Sequence, residues 1–156
     1  MKKFLIVDDD TDDRDLFREA LEEVTPDSVC YNAPNGLRAL LALENGEIEV
    51  PDIIFLDINM PVMNGWQLLA KLKESQVYKM IPVIMYSTSS FQEDIEKAQQ
   101  LGALCFLTKP SNFKKLKSIL ALVADHMYNG SLNSLGQHLP LLVRSVLANK
   151  MENEQS

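Results

Sequence analysis

The 156-residue sequence has few basic residues, few cysteines and no long apolar run. Its 15 lysines and arginines stand against 22 aspartates and glutamates, and the net charge of −7 argues against a nucleic-acid-binding surface. No stretch approaches the ~18 apolar residues of a membrane span, and aspartates at 8–10 cut the apolar start too early for a signal peptide. The two cysteines, Cys30 and Cys105, lie in apolar runs, which favours buried thiols in a reducing cytoplasm.

Short apolar runs alternate with helical patterns five times along the chain. Strands this short and this apolar, each followed by a helix, predict an α/β fold with a parallel sheet covered on both faces. Right-handed crossovers favour a doubly wound, flavodoxin-like sheet of order 2-1-3-4-5. The predicted strands are 4–7, 28–33, 53–57, 83–86 and 104–107, and the predicted helices follow Thr11 and span about 36–45, 65–75, 91–101 and 112–127.

This topology makes two further predictions. Cys30 and Cys105 fall on opposite edge strands, about 19 Å apart at ~4.8 Å per strand step, so no disulfide can join them. The helix at 91–101 has a thin apolar side, which suggests a loosely attached element that is available for movement or for a partner.

Polar side chains follow four of the predicted strands. Asp8 and Asp9 follow the first strand and Asp57 the third, so the fold brings these carboxylates to one edge, where ligands of such sheets bind. Three carboxylates repel one another unless a cation shares them, and hard oxygen ligands on a rigid scaffold suit Mg²⁺. Ser87 after the fourth strand adds a hydroxyl, and Lys109 after the fifth adds a counter-charge. This set fits phosphoryl transfer to an aspartate side chain.

Two other chemistries compete with this interpretation. Asp8, Asp10, Asp12 and Glu19 match acidic positions of an EF-hand calcium loop, but Asp13 stands where that loop needs glycine, and a strand precedes it. We therefore expect the acidic residues at 12, 13 and 15 to be first-turn carboxylates favoured by the helix dipole. A Mg²⁺-dependent phosphatase of the haloacid dehalogenase kind would also use aspartate, a hydroxyl and lysine. The nucleophile of such an enzyme belongs at the end of the first strand, in an Asp-x-Asp-x-Thr motif. Residues 8–11 read Asp-Asp-Asp-Thr and miss that spacing by one residue.

Over about residues 1–127 the chain resembles the receiver domain of two-component response regulators. The resemblance rests on the paired aspartates after the first strand, on Asp57 with Asn59, Pro61 and Gly65, on Ser87, and on Lys109-Pro110. It implies a phosphoprotein in which Asp57 accepts a phosphoryl group from a histidine kinase or a histidine phosphotransfer protein. Self-phosphorylation and autodephosphorylation would then be its only catalysis.

The resemblance also implies roles for individual residues. Mg²⁺ would be held by Asp9, Asp57 and the backbone carbonyl of Asn59, with Asp8 acting through water. Ser87 and Lys109 would hold the phosphoryl oxygens, and Phe106 would be the aromatic residue that turns inward on activation. The Lys109–Pro110 bond is expected to be cis, so that the lysine turns back over the pocket.

Residues 128–156 lie beyond the resemblance and predict a C-terminal helical extension with a frayed end. A narrow apolar seam, which Pro140 interrupts, is formed by leucines at 132, 135, 139 and 142 and by Val146. We expect this seam to fold back on the receiver domain or to form a partner interface, giving a monomer or a tail-mediated dimer. Too few residues follow 127 for a DNA-binding domain, so we expect a single-domain regulator that signals to a downstream protein target, away from nucleic acid and membrane.

Overall fold

Five short strands form a single parallel sheet in the computed structural model, which describes residues 1–88 and 91–135. The strand order is β2-β1-β3-β4-β5, and every neighbouring pair is parallel. This confirms the doubly wound α/β fold and the order predicted from the alternating pattern. The strands are β1 (Lys3–Val7), β2 (Val29–Ala33), β3 (Ile53–Leu56), β4 (Val83–Ser87) and β5 (Cys105–Thr108).

A helix follows each strand, and polar side chains begin four of the five helices in the described ranges. Asparagines cap three of them by accepting a hydrogen bond from the backbone N–H three residues later. The N-cap of the first helix is Asp10, whose carboxylate accepts from the Asp13 N–H at 3.0 Å. The helices are α1 (Thr11–Val24), α2 (Gly36–Glu44), α3 (Gly65–Glu74), α4 (Gln92–Gln100) and α5 (Phe113–Tyr128).

The sheet separates two apolar cores, as expected when helices cover both faces. One core contains Phe17 of α1, Leu120 of α5 and Phe55 of β3. The other contains Leu69 of α3 and Leu56 of β3. All four strand residues of β3 are fully buried, so the sheet's central strand gives Asp57 a rigid support.

Helix α4 is the most weakly packed of the described helices. Ala98 is its single buried residue, and its N-cap, Phe91, is 70% exposed and makes no side-chain cap hydrogen bond. Lys97 of α4 lies over the ring of Trp66 on α3, with its Nζ 4.8 Å from the ring centroid. The thin apolar side predicted for this helix is therefore present, and a cation–π contact adds to its attachment.

The two cysteines lie on opposite edge strands of the sheet and are both free, as predicted. Cys105 is buried, whereas Cys30 on β2 is half-buried. None of the helices in the described ranges has the length and apolar character needed to span a bilayer.

The beginning of the C-terminal extension packs on the domain. Gly130 adopts a positive φ of 69° directly after α5, and the Ser131 N–H donates to the His126 carbonyl at 2.9 Å. Residues 132–135 form a helical turn in which Leu135 is fully buried in the core formed by α1 and α5, and Leu132 is partly buried against it. The remaining predictions for the extension, including the break at Pro140, fall at 136–156, outside the described residues.

Candidate functional site

Three carboxylates meet at the carboxyl ends of β1 and β3. Oxygen atoms of Asp8, Asp9 and Asp57 all lie within 4.8 Å of one another. Asp8 is fully buried, Asp57 is 7% exposed, and Asp9 is exposed. The predicted cluster is therefore present, with two of its members withdrawn from water and the third open to solvent. Such a set of carboxylate oxygens matches the ligands that hard divalent cations prefer.

Backbone hydrogen bonds that continue beyond the strands hold Asp8 and Asp57 in place. The Asp57 N–H donates to the Val7 carbonyl at 2.9 Å, and the Asp8 N–H donates to the Ala33 carbonyl at 3.1 Å. The side chains are held as well, since Asp57 Oδ1 accepts from the Ile58 N–H at 2.8 Å. Asp8 Oδ1 accepts from the Asp10 N–H at 3.0 Å. The carboxylates of Asp8 and Asp57 are thus oriented by the backbone at the ends of β1 and β3.

Lys109 brings a positive charge to the same edge of the sheet. Its Nζ lies 2.6 Å from Asp8 Oδ2 and 3.6 Å from Asp57 Oδ2, and its side chain is only 9% exposed. The Lys109 N–H donates to the Ser87 carbonyl at 2.8 Å, which continues the pairing of β5 with β4. The expected proximity of Lys109 to Asp57 is therefore observed.

The prediction of a cis bond between Lys109 and Pro110 is wrong, because this peptide bond is trans. The prediction assumed that the chain must turn back sharply for the lysine to reach the pocket. The strand pairing already points Lys109 toward β1 and β3, and its four-carbon side chain spans the remaining distance.

The pKa values of Asp57 and Lys109 are both raised in this cluster, for different reasons. Desolvation raises the pKa of Asp57 to about 6, with Asp8 adding to the rise and Lys109 opposing it. Burial alone would lower the pKa of Lys109, but its hydrogen bonds to Asp13 and Asp8 outweigh this effect and raise it. Lys109 therefore remains charged at neutral pH, and Asp57 is held close to the point where it would take up a proton.

Three other residues named from the sequence lie on β4, on β5 and in the loop after Asp57. Ser87 ends β4, is 1% exposed, and pairs with Thr108 of β5. Asn59 is exposed in the loop two residues after Asp57. Phe106 on β5 is 7% exposed and packs in the core that also contains Ala98 of α4, so in this structure its ring already faces inward.

The loop between β3 and α3 folds tightly against the backbone of Asp57. A Cβ added to Gly65 would stand 2.1 Å from the Asp57 carbonyl oxygen and 2.9 Å from the Ile58 Cα. The Gly65 N–H donates to the Ile58 carbonyl at 2.9 Å, and Asn64 caps α3 with Gln67 in a capping box. Glycine is required here because the backbone passes too close for any side chain.

The sequence interpretation missed the role of Asp13. Its Oδ2 lies 2.8 Å from Lys109 Nζ, whereas the sequence suggested only a helix-dipole carboxylate. The available signal was helical spacing, because Phe17 lies four residues later on the same side of α1 and is fully buried. Asp13 lies one turn before Phe17, at the start of α1, so the same side of the helix brings it to the carboxyl end of β1. Arg14 was missed too, and its Nη1 donates to the Asp8 carbonyl at 2.6 Å.

An EF-hand is incompatible with this geometry. Helix α1 begins at Thr11, so Asp12 and Glu19 stand on a regular helix instead of a twelve-residue loop around an ion.

Similarity to known proteins covers most of the chain. A model of the response regulator receiver domain family matches residues 4–121. The response regulator Rcp1 of Synechocystis sp. is 35% identical over 119 residues, which cover 74% of this chain and 81% of Rcp1. A protein-glutamate methylesterase/protein-glutamine glutaminase of Methanococcoides burtonii is 36% identical over 138 residues. That match covers 85% of this chain but only 38% of the methylesterase.

Solved structures agree with this assignment. The phosphorylated cyanobacterial phytochrome response regulator RcpA superposes with a TM-score of 0.75 at 30% identity, over 81% of this chain and 94% of RcpA. The Mn²⁺-bound form of Rcp1 superposes with a TM-score of 0.71 at 31% identity, over 79% of this chain and 91% of Rcp1. These matches and the fold give the haloacid dehalogenase alternative no support. The chain belongs to the response regulator receiver domain family.

Proposed function

We propose that this protein is a single-domain response regulator that accepts a phosphoryl group on Asp57 from a histidine kinase or a histidine phosphotransfer protein. The observation that carries the proposal is the meeting of Asp8, Asp9, Asp57 and Lys109 at one edge of the sheet. Phosphoryl transfer depends mainly on positioning and on charge neutralisation. The carboxylates would supply the acceptor and the metal ligands, and Lys109 a positive charge for the phosphoryl group. The relative RcpA is described as phosphorylated, which agrees with this chemistry.

In the proposed reaction, an Asp57 carboxylate oxygen attacks the phosphorus of a phosphohistidine. A new P–O bond forms and the donor's P–N bond breaks, so the donor imidazole leaves with the bonding electron pair. The Ile58 N–H holds Asp57 Oδ1 and thereby orients the carboxylate. Lys109 and Ser87 would stabilise the negative charge on the phosphoryl oxygens. Hydrolysis of the resulting acyl phosphate by water would return Asp57, so catalysis would be limited to self-phosphorylation and autodephosphorylation.

The metal ion expected at this site is Mg²⁺. Asp9, Asp57 and the backbone carbonyl of Asn59 would hold it, with Asp8 acting through water, and the three clustered carboxylates fit such an ion. Its contribution would be to neutralise charge on the transferred phosphoryl group. The Mn²⁺-bound form of the relative Rcp1 supports a divalent cation in this family.

The output of the protein would be contact with a downstream protein target. We place the receiver domain at 1–127 and the extension at 128–156. The burial of Leu135 in the domain core supports fold-back of the beginning of the extension. In that arrangement the protein is a monomer, and the alternative remains a dimer formed through the later residues of the extension.

The proposal is tested by incubating the protein with Mg²⁺ and acetyl phosphate and measuring its intact mass. The wild type should gain the mass of one phosphoryl group, and the gain should disappear when a chelator removes the metal. Asp57→Asn should gain none. A variant that is labelled as fast as the wild type would overturn the assignment of Asp57.

A further inference from the structure

The ammonium of Lys109 is closer to Asp13 than to the proposed phosphoacceptor. Its Nζ lies 2.8 Å from Asp13 Oδ2, against 3.6 Å from Asp57 Oδ2. An ammonium has three N–H donors, and Asp8 Oδ2 at 2.6 Å and Asp13 Oδ2 occupy its short contacts here. The charge that would hold a phosphoryl group is thus already engaged by two carboxylates on the side of β1 and α1.

Asp13 differs from Asp8 in where it lies and in what it can do. Asp8 is fully buried and belongs to the carboxylate cluster with Asp9 and Asp57. Asp13 stands one turn into α1, with a side chain that is 33% exposed, and the carboxylates that lie within 4.8 Å of one another do not include it. Asp13 can therefore be changed without altering the proposed metal ligands.

The Asp13 carboxylate has two effects on an incoming phosphoryl group. Its negative charge partly cancels that of Lys109, and the low exposure of the lysine keeps this effect from being fully screened by water. Asp13 also takes up one of the three ammonium donors, which is then not available to the phosphoryl oxygens. Both effects raise the free energy of the transition state relative to the resting protein, in which the ion pair is intact.

We propose that Asp13 is a positioning residue that restrains Lys109 in the unphosphorylated protein and slows phosphorylation of Asp57. This inference rests on the proposed function. On this inference, the Lys109–Asp13 ion pair lowers the rate at which Asp57 takes up a phosphoryl group from its donor.

The test compares Asp13→Asn with Asp12→Asn. Both variants lose one negative charge from the first turn of α1, and Asp12 is exposed, so they share any effect of helix dipole and net charge. Initial rates of phosphorylation by acetyl phosphate in Mg²⁺ are measured by intact mass. We expect Asp13→Asn to be faster than Asp12→Asn by about threefold to tenfold, the range for loss of a partly exposed, hydrogen-bonded ion pair. Asp13→Glu keeps the charge and should stay close to the wild-type rate.

A second measurement separates this role from metal binding and from damage to the fold. The Mg²⁺ dissociation constant, measured by titration, should be the same in the Asp12 and Asp13 variants. Equal or slower phosphorylation of Asp13→Asn relative to Asp12→Asn overturns the inference while leaving the proposed function intact. Weaker Mg²⁺ binding in Asp13→Asn also overturns it, since Asp13 would then act at the metal. A wild type that takes up no phosphoryl group would contradict the proposed function and the inference together.

Discussion

Gly65 and Asp57 are in such close backbone contact that a Cβ on the glycine would lie 2.1 Å from the aspartate's carbonyl oxygen. The contact joins the start of α3 to the end of β3, so the packing of one helix terminus fixes the backbone of the proposed phosphoacceptor. The atoms in the way belong to the main chain and cannot move aside as a flexible side chain could.

Gly65→Ala should therefore destabilise the protein and impair phosphorylation together. We expect a loss of more than about 3 kcal/mol in the free energy of unfolding, measured with urea. Gly46→Ala is the control, because Gly46 has a positive φ of 69° but open space around its Cα. That variant should lose only about 1 kcal/mol and should phosphorylate normally. Equal losses in the two variants would contradict the steric argument.

Val62 should be replaceable with a gain in stability. It has a φ of 70°, a conformation that β-branched residues rarely adopt, and its side chain is 75% exposed. Val62→Asn should raise the free energy of unfolding by about 0.5 to 1 kcal/mol, because asparagine tolerates this conformation and little buried area is lost. Val50→Asn, at an exposed valine with an ordinary negative φ, should give no such gain. A loss of stability in the Val62 variant would show that the valine makes a favourable contact.

Asp57 should destabilise the metal-free protein at neutral pH. Burial raises its pKa from 3.8 to about 6, so the folded protein binds more protons than the unfolded chain between these values. The destabilisation is complete above about pH 6 and vanishes below pH 3.8. In the presence of a chelator, Asp57→Asn should gain on the order of 2 kcal/mol at pH 7.5, and the gain should shrink as the pH falls to 5. Asp12→Asn, at an exposed aspartate, serves as the control. A gain for Asp57→Asn that does not change with pH would contradict the attribution of the destabilisation to ionisation of Asp57.

Helix α4 should loosen when its contact with Trp66 is removed. Lys97 places its ammonium 4.8 Å from the ring centroid, and Ala98 is the one buried residue of the helix. Lys97→Ala should increase amide hydrogen exchange in α4 by the equivalent of about 0.5 to 1 kcal/mol and leave the sheet unchanged. It should also shift the emission of Trp66, the protein's one tryptophan. Lys114→Ala, at an exposed lysine on α5, should do neither, and unchanged exchange in α4 would rule out this attachment.

The sequence predicted those parts of the site that depend on topology. Parallel strands end at the same edge, so the order of the strands was enough to bring Asp8, Asp57 and Lys109 together. The parts it missed depend on local geometry. The reach of one lysine side chain made a cis bond before Pro110 unnecessary, and the phase of α1 turned Asp13 toward the pocket. The spacing of Asp13 and Phe17 on α1 carried the second of these signals, whereas the reach of the lysine follows from side-chain directions on the finished backbone.

The central claim is that Asp57 is the single phosphoacceptor, and the most direct measurement is to locate the phosphoryl group. The wild type is phosphorylated with acetyl phosphate and Mg²⁺ and treated with borohydride, which reduces an acyl phosphate to an alcohol. Peptide mass analysis then identifies the altered residue. We predict a homoserine at position 57 alone, and no reduction product in Asp57→Asn or in protein kept with a chelator. A homoserine at position 8, 9 or 13, or none in the fully phosphorylated protein, would contradict the account.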